Sequence, residues 1–223
     1  MIGLSFVAFV DILGFGEMVV ADYENAAPGT TYLPSLKAAI HTALASATSI
    51  NSKITQFSDS IVVSSPFSTS CEEFEQHLRL VRDLQSLLFN AGILCRGGIS
   101  HGRHFHDETL LFSQGLIDAY RLKSQVATDP RIVVSGETLD LLYPTGAKLD
   151  FLIRDVDNEA FLDYLGHLDG NHVSGILEKF RPSLTKSSPR VRSKTAWLYR
   201  YANFCHEEIM LPELITMRRS NNT

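Results

Sequence analysis

Hydrophobic and polar residues recur with different periods along the chain, and each period predicts a different element. The run from Leu4 to Val10 is continuously apolar and rich in Val and Phe, which is typical of a buried strand. Apolar residues at steps of three and four then predict a helix over about Tyr32 to Ile50. Two short extended segments follow, Lys53 to Phe57 and Ile61 to Ser65, and the polar residues between them predict a hairpin.

A second helix and strand follow the hairpin. Ser70 and Glu73 have the spacing of a capping box that starts a helix, and Gly92 is placed to end it. Ile93 to His101 reads as an apolar strand interrupted by glycines, for which a bulge is the simplest account. The pattern then predicts a third helix over about Phe112 to Ala127.

The order of these elements predicts the fold class. Strand, helix, strand, strand, helix, strand is the split βαβ order of ferredoxin-like folds, in which an antiparallel sheet carries helices on one face. We therefore predict an α+β domain over residues 1–150, which includes a further strand at Arg131 to Ser135. Residues 151–223 are predicted to be an extension packed on the same domain. The extension region adds a strand at about Leu149 to Arg154 and two helices, the last at about Lys194 to His206 after a basic loop.

Composition limits the function classes. The 223 residues carry 20 basic and 25 acidic side chains, a net charge of −5, which disfavours nucleic acid binding through bulk charge but permits a small anionic ligand. The three cysteines have neither zinc-site nor disulfide spacing, which indicates a reducing compartment. The apolar N-terminus is too short for a membrane span and lacks the basic start of a signal peptide. We expect a cytoplasmic protein.

Two acids are placed to carry chemistry. Asp11 and Asp59 each lie where an apolar strand meets a turn, and the split βαβ order makes these strands neighbours. Paired carboxylates suit Mg²⁺ or Mn²⁺ that already holds phosphate oxygens, so a triphosphate becomes a candidate ligand. Gly14 and Gly16, on either side of Phe15, would let backbone amides approach phosphates. The residues alone leave an alternative, in which the acids and glycines are ordinary turn formers.

A metal site formed by histidines is the weaker hypothesis. His101, His104 and His106 lie close together in sequence, but no fourth ligand has the spacing of a zinc site. A solvated loop is favoured for this segment.

Three short motifs resemble those of one enzyme family. Residues 9–15, FVDILGF, resemble the FxDIxGF signature of class III nucleotidyl cyclases. Residues 57–59, FSD, look like the hairpin motif of that family, which is usually Gly-Asp, and residues 96–102, RGGISHG, are similar to its Arg-x-Gly-Ile-x-x-Gly strand. The motifs occur in the family's order, and the resemblance covers about residues 4–140.

The resemblance implies a reaction and a metal site. Asp11 and Asp59, with the carbonyl of Ile12, would bind two divalent cations, Mn²⁺ or Mg²⁺. The turn at Gly14 and Phe15 would hold the nucleotide. The resemblance also implies a homodimer whose active sites lie between the two chains.

Departures from the family pattern bear on the substrate. Thr55 stands where adenylate and guanylate cyclases carry a Lys or Glu that reads the purine edge. Arg121 fits the arginine that stabilises the transition state from the partner chain, but Ile117 then falls on the family's asparagine. Arg96 is the next candidate for a cation at the nucleotide, followed by Arg103 and Lys194.

A chain with these features looks most like the pyrimidine cyclases of Pycsar anti-phage systems. That resemblance implies conversion of UTP to cyclic UMP, which we favour, or of CTP to cyclic CMP. The other class of hypothesis is a nucleotide-binding or interaction module with a cyclase-like fold and no turnover. An RNA-binding domain of RRM type shares the element order but would need a basic face, and a diguanylate cyclase would need a Gly-Gly-Asp-Glu-Phe turn. We expect neither nucleic acid nor a membrane as a partner.

Overall fold

The computed structural model describes residues 2–24, 32–107, 109–146, 148–209 and 211–212. Contacts divide the chain into two compact units, Met1–Tyr164 and Leu165–Thr223. The first unit therefore continues beyond the predicted boundary at residue 150, because two further short strands join its sheet. Among the described residues, no helix combines the length and the apolar character that a membrane span requires.

The first unit is built on one sheet, in which the described residues form eight strands. The strands are β1 (Gly3–Ile12), β2 (Lys53–Phe57), β3 (Ser60–Pro66), β4 (Cys95–His106), β5 (Leu111–Ser113), β6 (Ile132–Val134), β7 (Leu152–Arg154) and β8 (Ala160–Leu162). Their order is β2-β3-β1-β4-β6-β8-β7, with β5 paired to β4. The first four strands pair antiparallel in the ferredoxin-like order, so the predicted fold class is confirmed. β6 runs parallel to β4 and extends the sheet on that side.

Helices connect these strands and form the second unit. In the first unit they are α1 (Phe15–Glu24), α2 (Tyr32–Ser49), α3 (Cys71–Asn90), α4 (Gln114–Gln125) and α5 (Gly136–Leu142). The second unit contains α6 (Gly170–Phe180), α7 (Ser183–Lys186) and α8 (Pro189–Cys205). α8 begins earlier than predicted, because Ser188 caps it and Pro189 occupies its first turn. Part of the predicted basic loop is therefore helical.

The two faces of β1 have different partners. Because side chains alternate along a strand, Phe6, Ala8, Val10 and Ile12 lie on one face, which we call the core face. These four residues belong to one buried cluster with side chains of α2 and α3. Val7 and Phe9 lie on the opposite face, the α4 face, and pack with Val62 and with Ala119 of α4. Helices on one face were predicted correctly for α2 and α3, whereas α4 covers the other face.

Glycines bring α4 close to the backbone of β4. A Cβ atom on Gly98 would lie 2.4 Å from the carbonyl oxygen of Ala119, and one on Gly102 would lie 2.7 Å from the backbone nitrogen of Gly115. β4 pairs with β1 without interruption from Gly97 to Gly102, so the bulge expected here is not present in this described segment. The glycines instead provide room for the helix.

The second unit has its own buried contacts. The Tyr199 hydroxyl of α8 donates to the carbonyl oxygen of Leu177 at 3.0 Å, which joins α8 to α6. The Leu165 amide donates to the Tyr201 hydroxyl at 3.0 Å. Trp197 is buried and packs against the Tyr201 ring at 5.2 Å between centroids. Aromatic side chains of α8 thus form much of this core.

Candidate active site

Asp11 lies at the end of β1, on the α4 face. It pairs with Ser60 on β3 and with Arg96 on β4. The Arg96 Nε atom lies 2.9 Å from Asp11 Oδ2, and the Lys123 Nζ atom lies 3.5 Å from Oδ1. The Asp11 side chain is 14% exposed, so both of its oxygens meet a cation in a partly buried setting.

Asp59 lies in the turn between β2 and β3, next to the partner of Asp11. Its carbonyl oxygen accepts from the Ile12 amide at 2.7 Å, which ties the turn to the end of β1. Ser58 has a φ of 53°, in the left-handed region that residues other than glycine rarely adopt. The two predicted acids are therefore brought to the same end of the sheet.

The turn after Asp11 leads directly into α1. Gly14 has a φ of 76°, which glycine adopts without cost, and its carbonyl oxygen accepts from the Met18 amide at 3.1 Å. Gly16, predicted as a turn residue, lies in the first turn of α1 instead. The first backbone amides of a helix lack partners within the helix and favour anions. The sequence predicted backbone amides for an anion at this turn but not the helix α1, whose N-terminus lies beside Asp11.

The oxygen atoms gathered at this end of the sheet fit a divalent cation that takes most of its other ligands from substrate and water. The carboxylates of Asp11 and Asp59 and the carbonyl of Ile12 are hard oxygen donors of the kind Mg²⁺ and Mn²⁺ prefer. Within the described part of the chain, no group of three or more His, Cys, Asp or Glu residues is placed to hold a metal. A cation bound by one or two carboxylates together with phosphate oxygens and water matches this arrangement.

Lys123 is a residue of the site that the sequence reasoning missed. It lies one turn after the fully buried Ala119, on the face of α4 that packs against the sheet, and is only 7% exposed. Its Nζ atom lies 4.4 Å from the ring centroid of Tyr120 and 5.1 Å from that of Phe9. The signal was available: a lysine at a core position of an amphipathic helix needs a partner.

Arg121, the predicted catalytic cation, is not brought to Asp11 in its own chain. Its side chain is 60% exposed and pairs with Asp118 on the same helix, with Nη1 3.0 Å from Oδ1. Ile117 and Tyr120 are also about half exposed, at 47% and 49%. Arg121 therefore lies on an outer, partly apolar surface of α4, and its role across a dimer remains a prediction.

Thr55 on β2 contacts the far end of β4. Its Oγ1 atom lies 3.0 Å from Nε2 of His106, and the Lys53 ammonium donates to the carbonyl oxygen of His106 at 3.1 Å. The hairpin of β4 and β5 thus reaches the edge strand β2. Thr55, the residue at the position predicted to read the base, is therefore paired with the imidazole of His106.

The prediction of a solvated loop at His101, His104 and His106 is wrong, because all three residues lie in β4. His104 is buried within β4, and its Nδ1 atom lies 2.8 Å from the Ser113 Oγ atom of β5. His101 Nδ1 lies 2.8 Å from the Thr138 hydroxyl. Burial lowers the pKa of His104 and that of His106. The nearby charge of Lys53 lowers both pKa values further. The histidines are structural groups of β4, which spans Cys95–His106.

Solved structures resemble this chain, although no family model and no curated protein sequence matches it. The non-canonical dimeric guanylyl cyclase domain of the RhoGC fusion protein from the aquatic fungus Blastocladiella emersonii is 14% identical. It covers 72% of this chain and 93% of that domain, with a TM-score of 0.50. The chain has the fold of a class III nucleotidyl cyclase catalytic domain. The adenylyl cyclase CyaB from P. aeruginosa is 17% identical over 73% of this chain and 94% of its own, with a TM-score of 0.44.

Within this cyclase fold, the three sequence motifs lie on adjoining segments. The first ends β1, the second forms the β2–β3 turn, and the third begins near the start of β4. Asp11 pairs with one residue from each neighbour, Ser60 and Arg96. The cyclase fold therefore gathers the motifs at one end of the sheet, although they are far apart in sequence.

Proposed function

We propose that the protein is a nucleotidyl cyclase that converts UTP to 3′,5′-cyclic UMP and pyrophosphate. The observation that carries this proposal is the meeting of Asp11, Asp59 and Arg96 at one end of the sheet in a cyclase fold. Cyclisation of a triphosphate needs acids that hold metal at one place. A chain without this activity would have no need of the arrangement.

Cyclisation forms a bond from the ribose 3′-oxygen to the α-phosphorus and breaks the bond to pyrophosphate. Most of the catalysis of phosphoryl transfer is positioning and charge neutralisation. Divalent cations, when bound, lower the pKa of the attacking hydroxyl and neutralise the leaving phosphates. Asp11, Asp59 and the Ile12 carbonyl would hold them, as proposed above from their donor chemistry.

Other groups of the chain would bind and orient the substrate. The backbone amides at the start of α1, beginning with Phe15, would donate to the phosphates, and the conformation of Gly14 would let the backbone approach them. Arg96 fixes the direction of the Asp11 carboxylate through its 2.9 Å contact. Thr55 presents no charge to a purine edge, which supports a pyrimidine substrate. Arg121 is proposed to act on the phosphates of the nucleotide that the partner chain binds.

A second copy is proposed to complete the site. An apolar groove at the start of β1, at the other end of the strand from Asp11, offers a surface for the second copy. Its lining includes Arg103 and four apolar residues that are each about half exposed or more: Ile2, Leu4, Phe112 and Ile117. Burial of such an apolar surface favours association. We propose a homodimer in the cytoplasm whose cyclic nucleotide is an anti-phage signal. Mixing an Asp11→Asn chain with an Arg121→Ala chain should then restore one working site.

The proposed activity can be tested directly. The purified protein is incubated with each of the four ribonucleoside triphosphates and Mn²⁺ or Mg²⁺, and products are identified by mass spectrometry, with Asp59→Asn as the inactive control. We expect cyclic UMP as the main product. Cyclic CMP would move the assignment to a cytidylate cyclase, and a purine product would overturn the pyrimidine assignment.

A nucleotide-binding module without turnover is the second candidate. The ion pairs of Asp11 with Arg96 and Lys123 favour it, because a carboxylate held by two cations is less available to a metal. Triphosphate binding without any cyclic product, with either metal, would select this function.

A further inference from the structure

We propose that Lys123 is a phosphate-binding residue of its own chain, and that its pairing with Asp11 makes the metal and the phosphates bind together. The inference rests on the proposed function only in taking a metal-bound polyphosphate as the ligand. It assigns to α4 a cation that acts within one chain, in addition to the exposed Arg121.

The position of Lys123 is fixed by its surroundings. Its stem leaves a buried position on α4, and its ammonium group lies against the rings of Tyr120 and Phe9. These rings contact each other edge to face, with centroids 5.3 Å apart. Cation–π contacts and burial restrict where the ammonium group can go. It is therefore held beside Asp11 at the end of β1.

The charges around Asp11 disfavour a metal that arrives alone. Arg96 and Lys123 supply two positive charges, and Asp11 and Asp59 supply two negative ones, so the four groups sum to zero. A divalent cation at Asp11 would lie within a few ångströms of both side-chain cations, which repel it. A polyphosphate offers these cations new acceptors, so each ligand is expected to strengthen the binding of the other.

Lys123 is better suited than Arg96 to change partners. Arg96 Nε lies 2.9 Å from Asp11, and its Nη1 atom also lies within 3.4 Å of the Ala127 carbonyl oxygen. Lys123 meets Asp11 Oδ1 at 3.5 Å, the long limit of a hydrogen bond. A lysine ammonium has three donors, so it can donate to a phosphate oxygen while it stays against the rings of Tyr120 and Phe9. Arg96 thus holds Asp11 while Lys123 can turn to a phosphate oxygen.

The test measures binding rather than turnover. Mn²⁺ binding is followed by electron paramagnetic resonance, without and with tripolyphosphate, in the wild-type protein, Lys123→Met and Lys148→Met. Methionine keeps an unbranched apolar side chain at this buried position and removes the charge. Lys148 is exposed and is not part of the candidate site, so its substitution is the matched control for the change in net charge.

The expected results separate the variants of Lys123 from the wild-type protein and the control. In the wild-type protein and Lys148→Met, tripolyphosphate should tighten Mn²⁺ binding by about tenfold or more. In Lys123→Met, Mn²⁺ alone should bind several-fold tighter because a competing cation is gone, and the tightening by tripolyphosphate should largely disappear. Lys123→Arg should retain part of the coupling, because it keeps the charge.

Two outcomes would overturn the proposal. Unchanged coupling in Lys123→Met would mean that Lys123 does not reach the phosphates. Loss of Mn²⁺ binding both with and without tripolyphosphate would mean that Lys123 only maintains the position of Asp11. Tripolyphosphate has no ribose and cannot cyclise, so a chain that makes no cyclic nucleotide but shows the coupling would refute the proposed cyclase and leave this inference standing.

Discussion

The two faces of β1 perform different tasks although one strand of ten residues supplies both. On the core face, Phe6, Ala8, Val10 and Ile12 join a large apolar cluster with α2 and α3. On the α4 face, Val7 and Phe9 join only a small cluster, and Asp11 follows with its two cations. The difference teaches that stability is concentrated on one face, which lets the other carry partly buried charges next to a single helix.

The largest effect should come from the two acids at the end of the sheet that holds the candidate site. Asp59→Asn is expected to lower cyclic nucleotide formation by about 10³-fold or more, because the carboxylate that would hold a cation is neutralised. Its thermal unfolding should stay close to wild type. Asp11→Asn should lose as much activity and also stability, because Arg96 and Lys123 lose their carboxylate. Turnover assays and thermal melts followed by circular dichroism separate the two variants.

The core face should respond in the opposite way. Leu84 on α3 is fully buried in the main cluster. Leu84→Ala should lower the free energy of unfolding by about 3 kcal/mol, through lost burial and a cavity. Activity per folded molecule should hardly change at temperatures well below the melting point. A large loss of activity in fully folded Leu84→Ala would show that the two faces are not independent.

Acid should destabilise the chain partly through the core face. Burial lowers the pKa of His77 from 6.5 to about 3, so the native state holds it neutral while the unfolded state takes up a proton below pH 6.5. Unfolding is therefore favoured as the pH falls from 6.5 towards 3, by up to about 1.4 kcal/mol per pH unit from this group. His77→Gln can still bond the Ser65 hydroxyl, which lies 2.6 Å from Nδ1.

Urea unfolding at pH 7 and pH 5 measures this contribution. The wild-type protein should lose more stability between the two pH values than His77→Gln does. Equal losses would place the acid sensitivity in other groups.

The smallest expected effect lies where α4 rests on the sheet. Gly98→Ala would place a methyl group against the Ala119 carbonyl and Leu122, so α4 has to shift by a fraction of an ångström. We expect about a tenfold loss of activity, because Lys123 moves with the helix. Gly136→Ala adds a methyl group that meets nothing within 4 Å and is the control. Equal activity in both variants would mean that the seating of α4 does not matter for the site.

Periodicity predicted the elements that bury a face. β1 to β4, α3 and α4 were located from the sequence because their apolar positions repeat regularly. α1 was missed because none of its described residues is buried, so it has no apolar stripe to detect. β5 and β8 have only three residues each, too few for an alternation to be recognised.

The site was predicted in part for a similar reason. Asp11 and Asp59 stand at the ends of readable strands, so their meeting followed from strand order. Lys123 and Arg96 could not be placed beside Asp11 from spacing alone, because that contact depends on the register of β4 and on how α4 crosses the sheet. The burial of His104 depends on its pairing with β5, which the pattern did not indicate.

The glycines of β4 bear on how such chains can be detected. A Cβ atom would lie 2.4 Å from a backbone atom of α4 at Gly98 and 2.7 Å from one at Gly102, so both positions disfavour any side chain. A search pattern that combines these two positions with the spacing of Asp11 and Asp59 would carry more information than overall identity, which is 14% to the fungal domain. Genomes could then be scanned for relatives that whole-length sequence comparison overlooks.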